Sequence, residues 1–306
     1  LVGSEMCIRD SSYVAAKRMR AVVVAAGNEA NARRHYLGNL APLQEYEDVE
    51  ISVGDNIGGF TAELLTNSPE VVSVAVQSPT GESQPLIPAR QGSSEEYRFL
   101  LEGTTVSISY SLGEFTRERE LIFLRFTNPS KGIWRLRVYP ENYVTSRYHI
   151  WLPVTEFVQG DIFFLRSNPE TTITGPASAY APISVGGFNA SDDSLYLDSG
   201  RGYNIDNQVK PDFLAPAVEV FGPDLTGNFT RRTGTSAAAA VTAGAAAQLL
   251  EWGVVRGNSS DMNNALIKNY LLVGTDKTPG RVYPNPEEGY GRLNVYKAFT
   301  NMRRTT

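Results

Sequence analysis

Ala21-Val-Val-Val-Ala-Ala-Gly-Asn28 is a run of small and β-branched residues without polar alternation, closed by glycine and asparagine. Such a run suits a strand covered on both faces, as in a parallel sheet flanked by helices. Residues 11–20 before it open on serine and end in Lys17, Arg18 and Arg20, which predicts a short helix. Helix, buried strand and turn in that order make α/β texture. The first ten residues, LVGSEMCIRD, have no period and lack the basic, apolar, small-residue order of a signal peptide. They resemble a translated sequencing adaptor, are set aside as non-native, and imply a reading frame entered mid-protein.

Beyond residue 45 the texture changes. Short segments rich in β-branched and aromatic residues predict strands over 49–53, 60–65, 71–77, 97–101, 105–110, 120–126, 132–139 and 149–152. Turn signals separate them: Asn67-Ser-Pro69, Ser78-Pro-Thr-Gly81, Glu102-Gly103, Asn128-Pro-Ser130 and Pro140-Glu-Asn142. Trp134-Arg-Leu-Arg-Val-Tyr139 alternates cleanly, as a strand with one buried face should. About eight strands without a helix predict an antiparallel β-sandwich, with a jelly roll as one form of it. From 159 onward α/β texture returns, with strands expected at 183–188 and 210–216 and helices at 235–252 and 262–272. The division expected is therefore 1–10 set aside, 11–44 and 159–306 as one α/β domain, and 45–158 as an inserted β-domain.

Composition excludes several classes. Hydrophobic residues make up 42% and charged ones 20% of 306 residues, the balance of a globular chain rather than a disordered one. A net charge of −5 and a pI near 5.3 give no basis for a nucleic-acid or anionic-membrane partner. The single cysteine, Cys7, rules out an intrachain disulfide. No membrane span is expected; the most apolar stretch, 237–250, is Ala-rich and reads as a buried helix.

The chemistry concentrates in Gly234-Thr-Ser-Ala-Ala-Ala-Ala-Val-Thr-Ala-Gly244. A serine at the start of a helix has a backbone N–H with no intrahelical acceptor, and the dipole there favours negative charge. A nucleophilic Ser236 so placed can direct its own N–H at the oxyanion formed when it attacks a carbonyl. On local physics alone a capping serine is the commoner meaning. Small residues along the helix permit close packing, and Gly244 is expected to allow a near backbone contact.

Four segments in order resemble the subtilisin-like serine proteases, family S8. Gly234-Thr-Ser236 with its Ala-rich helix resembles the nucleophile motif. Val22-Val-Val-Ala-Ala-Gly-Asn-Glu29 resembles the strand that ends in the oxyanion asparagine, here Asn28. Lys210-Pro-Asp-Phe-Leu-Ala-Pro216 resembles the segment approaching the nucleophile, and Gly289-Tyr-Gly-Arg-Leu-Asn294 the closing turn. Single motifs of this size are weak, whereas four in sequence on matching elements are strong. The resemblance implies a subtilisin-like parallel sheet with flanking helices, with Ser236 and Asn28 as catalytic residues. It also implies Ala25, Ala26 and Gly27 as one wall of the substrate pocket. It departs from the family at Ala237-Ala-Ala-Ala240, where Met-Ala-Thr-Pro is usual.

The family order places the triad Asp and His before the oxyanion asparagine. Only His35 and His149 exist here, and both follow Asn28. His35 reads as a surface or rim residue and His149 as a strand residue, so the pair is expected in a missing upstream segment. The β-insert and Gly27-Asn-Glu-Ala-Asn-Ala-Arg-Arg-His-Tyr36 resemble the clostridial spore-germination proteases, which carry a jelly roll at this point and cleave a cortex-lytic zymogen. The resemblance therefore implies a serine endopeptidase with a protein or peptide substrate, in a bacterial spore-associated or secreted setting, and it admits a propeptide. No cofactor is expected; Ca²⁺ is admitted by the family, with Asp192, Asp193 or Asp198 as oxygen donors, but no metal site is assigned. Two alternatives stand beside it: a pseudoprotease acting as a binding or regulatory module, and a carbohydrate-binding β-domain using Trp134 and Trp151.

Overall fold

The computed structural model describes residues 2–41, 44–67, 70–112, 119–141 and 146–302. The turn residues Ser68, Pro69 and Asn142 named above lie outside that set. In chain order, α1 (Val2–Ala15) and β1 (Val23–Ala25) come first. There follow β2 (His35–Leu40), β3 (Glu47–Val53), β4 (Gly59–Thr66), β5 (Val72–Gln77), β6 (Ser94–Arg98), β7 (Thr105–Leu112), β8 (Glu120–Thr127), β9 (Gly132–Pro140), β10 (Ser146–Trp151) and β11 (Ile162–Phe164). Then come β12 (Ile183–Phe188), β13 (Phe213–Pro216), β14 (Val220–Pro223), β15 (Phe229–Arg232), α2 (Thr235–Leu250), α3 (Asn264–Val273) and α4 (Val295–Met302). The chain divides into two compact units, Leu1–Asn31 with Pro169–Thr306, and Ala32–Asn168. The β-rich unit is thus wider than the expected 45–158 and takes in β2 and β11.

In the first unit β1, β12 and β13 form a parallel sheet in that order, with Val23 opposite Ile183 and Val185 opposite Phe213. Helix α2 packs against all three strands. It does so with Thr235, Ala238, Thr242, Ala245, Ala246 and Leu249, one stripe at helical spacing. β12 is buried throughout, as its continuous apolar run requires, whereas Val23, Val24 and Ala25 are only half-buried. The expectation of full burial fails for β1 because it is the outer strand of this sheet. Helix α2 passes into a π-turn at Glu251–Val255, where Gly253 lies against Met262. By length and composition the 21 residues of Thr235–Val255 would suffice to cross a bilayer; here the buried stripe faces the sheet. Gly244 is exposed with open space around it, so it makes no close backbone contact.

Helix α1 begins nine residues before the start expected at Ser11 and ends earlier, at Ala15. Met19 takes a left-handed backbone and gives its N–H to Met262 O at 2.8 Å, so the basic residues at 17–20 cannot continue the helix.

The second unit holds two antiparallel sheets, β2-β10-β4-β8-β7-β6 and β11-β3-β9-β5. Their inward residues form one core that includes Val49, Ile51, Leu64, Phe126, Trp134 and Tyr148. Alternation accounts for it: along β8 and β9 every second side chain is buried. Trp134 is fully buried, edge-on to Phe99 and Phe126, with Nε1–H donated to Ser130 O at 2.9 Å. A carbohydrate surface built on Trp134 is therefore excluded. β6 lies three residues before its expected place. Leu100 and Leu101 form a turn instead, their N–H groups donated to the Glu82 carboxylate.

Candidate active site

Helix α2 is capped by Gly234, not by Ser236. Gly234 has φ +141° and supplies no side-chain cap, so the capping meaning of Ser236 does not apply. Ser236 is the second helical residue and is exposed, and among the described residues its hydroxyl has no hydrogen-bond partner. Its N–H lies in the first turn, where no i−4 carbonyl is available.

Asn28 follows the end of β1 after Gly27, whose φ of +97° turns the chain away from the strand. The Asn28 side chain meets the residue next to Ser236: Thr235 N–H donates to Asn28 Oδ1 at 3.0 Å, and Thr235 Oγ1 donates to the same oxygen at 3.1 Å. Thr235 Oγ1 also accepts the Gly27 N–H at 3.1 Å. Residues 207 and 208 positions apart are thereby clasped. With Oδ1 fixed, the Nδ2 end of Asn28 is the end left to donate, and a Cβ added to Gly234 would stand 3.5 Å from it. The structure thus brings Asn28 to the turn that precedes Ser236. Thr235 is what fixes it.

Of the three residues expected to wall the substrate pocket, Ala26 is fully buried while Ala25 and Gly27 are half-buried. Ala26 N donates to Val185 O at 2.9 Å, and Ala26 O accepts from Thr174 N at 3.0 Å. Thr174 stands over Gly27: a Cβ there would come within 2.5 Å of Thr174 Oγ1. Nothing in the linear sequence pointed to Thr174, because the contact closes over 148 positions.

The two histidines pair with each other. His35 Nε2 and His149 Nδ1 are 2.9 Å apart, His35 Nδ1 lies 3.2 Å from Asn168 O, and both rings stack on Trp151. Both are buried, so the expectation that His35 lies on the surface was wrong: β2 carries it inside the second unit. Burial, then the neighbouring His35 and the Arg147 and Arg119 cations, push His149 down to about 3. Asp193 pairs with Arg292 at 3.1 Å, and Asp192 accepts the Ser194 N–H at 2.9 Å. Among the described residues no group of three His, Cys, Asp or Glu side chains is placed to hold a metal ion.

Residues 159–291 match the model of the Subtilase family, Peptidase S8. That span is similar to the Subtilase family. The matched span holds Ser236 and the segment 210–216; Asn28 lies outside it. The solved CspB protease of Clostridium perfringens is 29% identical, over 96% of this chain and 62% of that one, with a TM-score of 0.86. The chain therefore spans 62% of the length of that protease. The patellamide maturation protease PatA is 26% identical over 44% of this chain and 49% of its own, with a TM-score of 0.37. The PatG macrocyclase domain is 27% identical over 41% and 37%, with a TM-score of 0.35.

Proposed function

We propose that the protein is a serine endopeptidase that hydrolyses peptide bonds through an acyl-enzyme on Ser236. The observation that carries this reading is the clasp of Asn28 onto Thr235, which sets an amide N–H₂ beside an exposed serine at a helix N-terminus. Attack by Oγ on a peptide carbonyl forms the Ser–C bond and moves the carbonyl π electrons onto oxygen. Asn28 Nδ2–H and the Ser236 N–H then stabilise that oxyanion. Collapse expels the amine, and water repeats the sequence to release the acid. Ala25, Ala26 and Gly27 line the approach to the serine, with Thr174 beside them.

Proton transfer needs a base. In this proposal the triad Asp and His lie upstream of residue 11; the chain spans 62% of the CspB protease's length. The second unit is proposed as a jelly-roll insert. Supporting this, β2 to β5 and β8 to β11 alternate between its two sheets, while β6, β7 and β8 follow one another in the larger one. A protein substrate, a propeptide and a spore-associated or secreted setting extend the same proposal.

A second reading, a subtilase-fold pseudoprotease acting as a binding or regulatory module, is favoured by one observation: each histidine of the chain is the other's partner. Expressing the protein with its upstream segment and treating it with a fluorophosphonate probe separates the two. The protease reading expects labelling that Ser236→Ala abolishes. It also expects Asn28→Leu to slow labelling by about 10²–10³, a magnitude known for subtilisin's own oxyanion asparagine rather than obtained from this geometry. A folded full-length protein that does not label supports the pseudoprotease, and labelling that survives Ser236→Ala ends the assignment.

A further inference from the structure

In the first unit the C-terminal end of α1, the turn at 180–182, the segment 207–212 and α3 enclose a cavity of about 660 Å³. Its charged lining is Lys210, Asp212 and Lys268, joined in its polar lining by Gln208, with the Tyr180 and Tyr290 phenols completing its titratable groups.

The three charges do not balance. Asp212 Oδ1 takes Lys268 Nζ at 2.8 Å; its Oδ2 takes the Ser184 N–H at 2.7 Å and Lys210 Nζ at 3.3 Å. One carboxylate thus serves two ammonium groups and an amide. The three ammonium protons of Lys268 are accounted for by Asp212, Tyr180 O at 3.2 Å and Pro182 O at 3.4 Å. Lys210 has two acceptors, Asp212 and Pro182 O, and one N–H remains. Gln208 is held through Oε1 by Asn204 Nδ2 at 3.1 Å, and its own N–H₂ has no partner among the described residues. The cavity therefore offers one surplus positive charge, an unspent ammonium proton and a primary amide donor, with Leu272 and Ala265 as apolar wall. An ammonium only 1% exposed and facing half a counter-charge carries an unrelieved desolvation cost. Burial accordingly brings Lys210 down to about 8.

We propose that this cavity is a binding site for a small organic carboxylate, its oxygens taken by Lys210 Nζ and the Gln208 amide and its apolar body lying on Leu272 and Ala265. The site uses neither Ser236 nor Asn28, so it stands or falls apart from the protease reading. A carboxylate supplies the missing counter-charge, and planar oxygens accept from an ammonium and an amide together.

Thermal unfolding and calorimetric titration of the chain with N-acetyl-leucine, in 0.15 M NaCl, test it. The neutral twin N-acetyl-leucinamide separates the carboxylate from the body. The expected result is a saturable rise in Tm at pH 7 with the acid and none with the amide. At pH 9.5, where Lys210 is neutral, the acid should bind at least tenfold more weakly. Lys210→Met should abolish the response. Should that variant not fold, Gln208→Leu leaves the lysine pair in place and should weaken the acid at least threefold. Equal responses to acid and amide, a response that does not saturate, or one untouched by Gln208→Leu would each overturn the proposal.

Discussion

The two units bury apolar surface by opposite means. The second fills its core with large side chains presented by alternation: Trp134, Tyr148, Phe99, Phe126 and Phe164 are all fully buried. The first brings a helix onto a parallel sheet through small ones, with Ala238, Thr242, Ala245 and Ala246 against β12 and β13. Dispersion and hydrophobic burial scale with the atoms brought together, so the second unit gains stability per side chain. The first gains closeness of backbone, which lets the first residue of a helix reach a strand end. One core should be sensitive to truncation and the other to enlargement.

The largest expected effect is therefore Trp134→Ala. Removing a buried indole packed edge-on against two phenyl rings should cost about 3–5 kcal/mol. Urea unfolding of the second unit's signal measures it, and a loss below about 1 kcal/mol would break the contrast.

Next, on the order of 3 kcal/mol, comes a pH effect confined to the second unit. Glu120 is buried with a carboxylate oxygen accepting the Val72 N–H, and burial raises it to about 7. Folded, it stays protonated while the unfolded chain ionises, so it stabilises below pH 4.5 and that stability fades as pH rises toward 7. His149, depressed to about 3, acts oppositely: the unfolded chain takes up a proton below about 6.5 and the folded one does not, so stability falls with acid. Between about pH 4.5 and 6.5 the two slopes oppose and the profile should be flat. Glu120→Gln removes one of them, and that variant should lose on the order of 3 kcal/mol relative to its pH 7 value by pH 4.5. If the variant's profile is as flat as the parent's, His149 is not held neutral.

Ala238→Leu probes the other side. A larger side chain between α2 and the sheet should cost about 1–3 kcal/mol through displacement of the helix. The same substitution at exposed Ala240 should cost under about 0.5 kcal/mol. Near-isothermal unfolding midpoints for the two would show that α2 is not closely seated.

This difference also governs what was readable in the sequence. Alternation made β3, β4, β8 and β9 visible, since a period of two survives without knowledge of neighbours. β2 was hidden because His35-Tyr-Leu-Gly-Asn-Leu40 carries glycine and asparagine and follows two arginines. The hairpin β14–β15 was hidden because its side chains are largely exposed, with Phe221 and Phe229 stacked on each other instead of a core. Asn28 and Ser236 were visible as motif residues. Thr235 and Thr174 were not, because each acts through a contact with the β1 end that no local pattern encodes.

Thr235 gives the smallest and most discriminating effect. Its hydroxyl donates to Asn28 Oδ1 and accepts from Gly27 N, while its N–H donates to Asn28 independently. Thr235→Val keeps shape and the backbone bond but deletes both hydroxyl bonds, leaving the Gly27 N–H without its acceptor. The expected loss is about 1 kcal/mol of stability and roughly a tenfold slower fluorophosphonate labelling of Ser236 in the protein carrying its upstream segment. Thr235→Ser restores both bonds and should restore the rate. A structural role alone would move the unfolding midpoint equally in both measurements' background while leaving labelling of the folded protein unchanged. Slowed labelling in Thr235→Val that Thr235→Ser rescues therefore isolates the clasp as the element that orients Asn28.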